Sequence, residues 1–515
     1  MSLWLNPPLG EYRIPWIAAP LSEAAVCRRI LLGFLFLHMA ALSAVALLTQ
    51  PTLQLDVVEQ LAWAHDPQWV YFKHPPLPAW VLWFAMRATN DALWAPAIIG
   101  PLATTLTIWL VWQLAIRVVD PVRALLAALV LEGVIYFNFT SLEFNHNVVQ
   151  MPIWALLGLC GHRAAREGRL LDWFGLGVAV WLGMLGKYST ALMLAAVLAA
   201  FVADPEARKK FRSFGPWLAI VTATVLLVPH LLALARIHFA PFDFPLQRAA
   251  HPTTLWDHLV NPLRFLSAQV LDVAAALLLL ASFLIPRGGE IALRPLQIAR
   301  SDRRFLCIIA FGPIGLSLGL EALSGMRFLD MWGTPMWDFI GLAIIAAASV
   351  RPVTIDALRG FGAVWCVVFA LAVVSKAEAD IADPAMTGRG GRHQFPAGAM
   401  ASAISSAWHQ RTNGRPLDVV VGSSWYGGLL TVYAPDHPSL MIDGEWWKSP
   451  WITPARIERQ GAVLIWSADG GEPAGMAANF PFAIVQPTIT LQYLTNAKVP
   501  PARIEWAIVP PATDP

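Results

Sequence analysis

The segment "LDVVEQLAWAHDPQWVYFKHPPL", residues 55–77, sets Asp56 and Glu59 about one helical turn apart and places Lys73 and His74 directly before Pro75 and Pro76. A carboxylate held within hydrogen-bond reach of a hydroxyl can serve as a general base. Ammonium and guanidinium groups give charge-assisted hydrogen bonds to phosphate, and Arg can engage two oxygens at once. Related groups recur in other polar segments: Glu143, Asn145, His146 and Asn147 in "TSLEFNHNVVQMPIW", Lys187 in "GMLGKYSTALM", Arg236 and His238, Arg248 in "APFDFPLQRAAHP", and Arg327 in "SGMRFLDMWGTPMW". All of them border apolar runs. Charge at membrane depth is costly, so a persistent cluster marks a substrate path or a site. Any single Lys or Arg can instead snorkel to lipid headgroups, but headgroups offer the carboxylates little attraction.

The elements that must hold these groups follow from composition. The chain has 515 residues, 57% hydrophobic and only 14% charged, against roughly a quarter charged in soluble domains. That excludes a soluble protein. A net charge of +2 gives no electrostatic footprint for nucleic acid. Cys27, Cys160, Cys307 and Cys366 lie in or beside apolar runs, so no disulfide framework is expected. Eleven membrane-spanning helices are expected, near 29–49, 94–116, 121–138, 148–164, 171–186, 189–204, 214–235, 263–285, 304–322, 335–350 and 359–376. The opening "MSLWLNPPLGEYRIPWIAAP" lacks the order of a cleaved signal, so the first span reads as retained.

Arg163, Arg166 and Arg169, then Arg208, Lys209, Lys210 and Arg212, then Arg287, Arg294, Arg300, Arg303 and Arg304 fall in alternate loops, which the positive-inside rule makes cytoplasmic. With Arg28 and Arg29 before the first span, the N-terminus is expected in the cytoplasm and the C-terminus outside. The loops carrying the candidate site residues then share the outer side. "DVVEQLAW" and "PPLPAWVLWFAM" are too short to span and read as helices lying in the interface. After about Ser375 the pattern changes to short strand-like runs and turns: "PLDVVVGSSWYGGLLTVYA" reads as strand, glycine turn and helix, and "GAVLIWSA" and "FAIVQPTI" as further strands. The expected division is a transmembrane domain, 1–376, and a small α/β domain, 377–515, on the periplasmic side.

Asp56, followed eighteen residues later by His74 in "YFKHPPL", resembles the first outer loop of the C-type glycosyltransferases that use polyprenyl-phosphate-linked sugars. That class holds the protein mannosyltransferases, the aminoarabinose transferase acting on lipid A, and a large bacterial group assigned to family 39. The Lys187–Tyr188 segment, the 240–252 loop and "WGTPMW" carry the resemblance over most of residues 24–350. Departures are Val57, where relatives commonly have an acid after the first Asp, and Asn145 and Asn147, where many have aspartate. The resemblance implies the GT-C fold, an α-helical polytopic membrane protein, in a bacterial inner membrane. It implies transfer of a sugar from a polyprenyl-phosphate donor to a lipid A or core, polysaccharide or protein acceptor.

On that reading Asp56 is the base of an inverting displacement. His74, Lys187 and Arg327, with Tyr71, Lys73 and Arg248, are expected at the donor phosphate. Glu59, Glu143, Asn145 and Asn147 are candidate substrate contacts. No cofactor is expected, and no metal, because His238, Asp243, His251 and Asp257 fit no standard ligand spacing. Alternatives stay open: Asp56 could cap its helix, His74 could serve only to enter the Pro75 turn, Glu132 inside a span calls for an unnamed partner, and Trp446 and Trp447 could stack on sugar or touch membrane. The whole chain could also be a lipid-linked sugar flippase or a catalytically silent lipid-binding relative.

Overall fold

The computed structural model describes residues 24–249, 251–252, 254–285 and 289–512. The amino-terminal stretch expected to be retained and Arg287 of the basic loops lie outside these residues. The apolar runs of the first three-quarters of the chain are helices, the form that satisfies every backbone group within its own segment when no water is at hand. Among the described residues five are long and apolar enough to cross a bilayer: Ala24–Thr49, Ala95–Ala115, Gly215–Arg236, Arg300–Ser324 and Ile355–Thr387. Two bent pairs raise the count to seven, Asp257–Asp272 with Ala274–Leu284 at 60° and Asp330–Trp337 with Ile340–Ala348 at 49°, while Leu170–Gly186 and Thr190–Ala203 are shorter apolar helices.

The expected continuous span over 121–138 is instead broken into Pro121–Val130, a 3₁₀ turn at Leu131–Gly133, and Ile135–Asn138. Packing explains the break: a Cβ on Gly133 would come within 2.4 Å of the Ala276 backbone nitrogen, so the turn and a neighbouring helix meet backbone to backbone. Glu132 in that turn has a partner. Its carboxylate lies 2.7 Å from His38 Nδ1, His38 Nε2 lies 3.0 Å from the Thr104 hydroxyl, and all three residues are buried.

Helix His146–Arg166 sets the polarity of the bundle. Its 21 residues cover about 30 Å, from the polar residues of the 139–147 loop to Arg163 and Arg166. There Arg163 pairs with Asp172 at 2.7 Å, and Arg166 binds both Asp302 and Asp204. Helix Leu170–Gly186 returns from Asp172 to Lys187. The basic loops and the candidate site residues therefore sit at opposite ends of the same helices.

At the Lys187 end lies the C-terminal unit, a six-stranded sheet. Strand Val419–Gly422 is parallel to Ser439–Ile442 on one side and to Ala462–Ser467 on the other; Ala502–Val509 follows antiparallel and pairs with both Ile484–Val485 and Ile489–Leu491. The segment expected as strand, turn and helix is strand Val419–Gly422 and helix Tyr426–Tyr433. "FAIVQPTI" is two short strands. Helix Ile355–Thr387 runs unbroken through 376 and 377.

The C-terminal unit changes the environment of the first loop. Helix Leu55–His65, expected to lie in the interface, buries eight successive residues, Val57 to Ala64. The Tyr433 hydroxyl accepts from the Leu53 amide at 3.0 Å, the Ser439 hydroxyl donates to Asp66 at 3.2 Å, and a Cβ on Gly428 would come within 2.9 Å of the Val58 side chain. Covered on the far side by helix Tyr426–Tyr433, the first-loop helix is an internal layer. Helix Leu77–Ala88, which follows Pro75 and Pro76, keeps an exposed apolar side at Phe84, as an interfacial helix would.

Candidate functional site

A cavity of about 690 Å³ lies between the ends of the bundle helices and the C-terminal sheet. Asp56, Glu59, Lys73 and His74 line it from the first loop, and Asn145, Asn147, Lys187 and Arg248 from later loops. Leu192, Leu320, Met331 and Phe328 supply apolar wall. Two expected phosphate ligands are elsewhere. Tyr71 is buried, donating its hydroxyl to the Trp63 carbonyl at 2.8 Å and accepting from the Gln68 amide at 3.1 Å, so it braces the first loop. Arg327 lies on an exposed loop outside the lining, although its neighbour Phe328 is part of it.

Asp56 occupies the second position of its helix and makes no capping bond there; its Oδ2 instead accepts from Asn145 Nδ2 at 2.9 Å. Asn145 can do this because its Oδ1 accepts from the amides of Asn147 and Val148 at 2.8 and 3.2 Å, capping helix His146–Arg166. An aspartate here could cap but could not donate, and it would place a second charge against Asp56. An asparagine at this position therefore has a local logic. Behind Asp56, outside the cavity lining, Glu143 Oε1 accepts from the Asp56 amide at 2.9 Å. Burial first, and the charge of Asp56 second, push the Glu143 carboxyl up to about 7.

The cations differ in how they are held. Lys73 forms an ion pair with Glu59 at 2.7 Å and lies over the Phe244 ring, so Glu59 acts as its counter-ion. Lys187 donates to Asn147 Oδ1 at 2.6 Å and lies over Trp332. Burial pulls its ammonium down to about 8, opposed by the charge of Asp56 and assisted by Arg248. Arg248 lies over Phe244 and makes no ion pair among the described residues.

His74 lines the cavity beside these cations without being one. Burial, followed by His146 and the surrounding cations, holds it well below the usual histidine range, so its imidazole is neutral. Its ring lies against His146 at 4.0 Å between centroids. His146 is fixed in turn, with Nε2 on the Pro75 carbonyl at 3.1 Å and Nδ1 beside the Gln60 amide at 3.3 Å. His230 orders the adjoining wall by bridging the Trp69 carbonyl and the Tyr188 hydroxyl. Among the described residues no three His, Cys, Asp or Glu side chains converge as a metal site would require.

The cavity also contains residues that the sequence reading did not assign: Gln60, Ser189 and Trp332 from the bundle, and Arg392, Ser423, Ser424, Trp425 and Asp443 from the C-terminal unit. Ser423 to Trp425 fall in the glycine turn between strand Val419–Gly422 and helix Tyr426–Tyr433. Trp446 and Trp447 are outside the lining; Trp447 packs edge-on against Phe72 and beneath Lys448.

Residues 73–232 match the family described as dolichyl-phosphate-mannose-protein mannosyltransferase. The chain is 26% identical over 441 residues, 82% of its length and 84% of the relative's, to the lipopolysaccharide core galacturonosyltransferase RgtB of Rhizobium johnstonii. It is 23% identical over 463 residues to RgtA of the same organism, covering 87% and 89%. The structure of ArnT from Cupriavidus metallidurans bound to undecaprenyl phosphate superposes with a TM-score of 0.60 at 12% identity, over 94% of this chain and 98% of that one. Apo ArnT gives 0.57 at 14% identity, over 93% and 98%. The chain is a multi-pass membrane glycosyltransferase with the GT-C fold, the fold also seen in ArnT.

Proposed function

We propose that the protein transfers a sugar from a polyprenyl-phosphate donor to a lipopolysaccharide acceptor on the periplasmic side of the inner membrane, with Asp56 as the base and inversion at the anomeric carbon. The observation that carries this is the meeting of Asp56 with Lys187 and Arg248 in one partly apolar cavity. Asp56 accepts the proton of an acceptor hydroxyl as that oxygen bonds to the anomeric carbon. The bond from that carbon to the phosphate oxygen breaks, and the polyprenyl phosphate departs against Lys187 and Arg248. Lys73, half neutralised by Glu59, and neutral His74 complete the phosphate side. A single unpaired carboxylate at the reacting position suits one displacement rather than two.

The solved relative bound to undecaprenyl phosphate supports the donor class, and the lipopolysaccharide core transferases support the acceptor class. The separation of the basic loops from the cavity supports the orientation, with residues 377–515 as a periplasmic domain. The test is transfer of radiolabelled sugar from purified polyprenyl-phosphate donors to lipopolysaccharide by the reconstituted protein. Label must appear in the acceptor and be lost with Asp56→Asn. Movement of intact donor between leaflets without a new glycosidic bond would replace the enzyme reading with a flippase.

A further inference from the structure

The cavity wall contributed by the C-terminal unit has its own chemistry. Ser423 to Trp425 follow strand Val419–Gly422, and Asp443 follows strand Ser439–Ile442. These strands are parallel neighbours, so both segments leave the sheet at carboxyl ends. That edge is where open α/β sheets place ligands. Here it opens into the cavity that holds Asp56 and Lys187.

Arg392 joins this edge from a separate turn. The turn is pinned at several points: Thr52 donates its amide to the His393 carbonyl at 2.9 Å and its hydroxyl to the Phe395 carbonyl at 2.5 Å, while Gln394 Nε2 donates to the Asp380 carbonyl at 2.8 Å. The guanidinium at the tip is not pinned. It lies 6.0 Å from the Trp425 ring and makes no ion pair among the described residues. Asp443, the acid of this wall, is already paired with Lys448 at 2.8 Å. Glu143, whose carboxyl feels the Arg392 charge, is engaged with the Asp56 amide. A rigid base carrying an uncommitted fork of donors is preorganised for an oxyanion.

The two serines complete the arrangement. Ser423 Oγ accepts from the Tyr426 amide at 3.2 Å, which leaves its hydrogen to donate, and Ser424 Oγ has no partner among the described residues. Both precede helix Tyr426–Tyr433, whose N-terminus adds a favourable dipole. The donor phosphate already has Lys187 and Arg248 on the bundle side. A second set of oxyanion donors on the opposite wall calls for a second acidic group.

We propose that Arg392, Ser423 and Ser424 form a subsite for a carboxylate or phosphate carried by the glycan, on either the transferred sugar or the acceptor. The proposal rests on the glycosyltransferase reading and adds a specificity determinant supplied by the C-terminal unit.

The test compares reconstituted wild type with Arg392→Ala, Arg392→Lys and Ser424→Ala. Donors are polyprenyl-phosphate uronosyl and matched neutral hexosyl lipids; acceptors are lipopolysaccharide before and after enzymatic dephosphorylation. Arg392→Ala should lower kcat/KM by about 10- to 100-fold for the substrate bearing the acidic group, and by less than about threefold for its neutral counterpart. Ser424→Ala should follow the same pattern more weakly, and Arg392→Lys should restore part of the loss. Loss that tracks the uronosyl donor places the acidic group on the sugar, and loss that tracks the phosphorylated acceptor places it there. Equal losses on acidic and neutral substrates, or no loss on any, overturn the subsite and leave the transferase intact. Absence of transfer by the wild type from every polyprenyl-phosphate donor overturns the functional reading, and the subsite falls with it.

Discussion

Glu132 and Asp56 are both carboxylates in otherwise apolar stretches, and the fold gives them different surroundings. Glu132 is fully buried in the bundle, where His38 spends both ring nitrogens, one on Glu132 and one on Thr104, and Asn138 Nδ2 donates to the Glu132 backbone carbonyl at 2.6 Å. The threonine hydroxyl donates onward to the Pro101 carbonyl at 3.1 Å. This network is closed. Asp56 has one oxygen held by Asn145, while Oδ1 has no partner among the described residues and the side chain lines the cavity. Bearing a carboxyl group near a membrane does not separate the two. Whether the protein has used up the acceptor capacity does: a saturated acid holds helices together, and one with capacity to spare can take a proton from a substrate.

The largest effect should come from Asp56→Asn. Removing a general base costs about 10²- to 10⁴-fold in kcat, whereas donor affinity should stay within about threefold because the phosphate contacts remain. A small change in kcat would remove Asp56 from the chemistry and erase the contrast with Glu132. Next comes Glu132→Ala or His38→Ala, which strands one buried polar partner. Breaking such a pair costs about 3–5 kcal/mol, read as a lower unfolding temperature and reduced yield. Turnover per folded molecule should be unchanged. A stable but inactive Glu132→Ala protein would move that acid into the functional class.

The same contrast marks what was legible in the amino-acid chain. Asp56, Lys73 and His74 could be found together because they share one loop, and the helix between them fixes their separation. The partner of Glu132 could not be named, since His38 is 94 residues away and nothing in its own apolar run announces it. Arg392 and Ser423 to Trp425 reach the cavity only because the C-terminal sheet docks on the first-loop helix. Their distance along the chain from Asp56 hid them, although the glycine turn after a strand was visible. Residue type alone makes Asn145 a lost acid, whereas in the fold its Nδ2 donates to Asp56 while its Oδ1 caps a helix. Tyr71 braces the loop instead of lining the cavity, and His74 lines it uncharged, for one reason: burial decides whether a hydroxyl is free and whether an imidazole is charged, and residue type does not report burial.

Lys187 offers a finer probe of the open cluster. With its ammonium pulled down to about 8, the free protein loses this charge as pH rises through that value. A bound phosphate favours the charged form. Donor affinity should therefore be flat below about pH 8 and weaken by about tenfold per pH unit above it, a one-proton linkage. Lys187→Arg keeps its charge and should flatten the limb. Persistence of the limb in that variant would assign it to another group.

The smallest effect concerns Glu143, the acid behind Asp56. Its folded value of about 7 lies above its ordinary value of 4.5, so between these the folded chain holds more proton than the unfolded one. Stability is therefore lost as pH rises across that window and is level above it. Glu143→Gln can still accept from the Asp56 amide but carries no charge at any pH. Its unfolding temperature should nearly match the wild type at about pH 5 and exceed it by roughly 1–3 °C at about pH 8. A gap that does not vary with pH would mean that this proton is not linked to folding. A gap that opens as expected would mean that the cluster around Asp56 holds a second negative charge next to it at a cost, a cost the closed Glu132–His38 network avoids by giving its acid a partner. That difference is what a site would show where substrate, rather than protein, supplies the missing contacts.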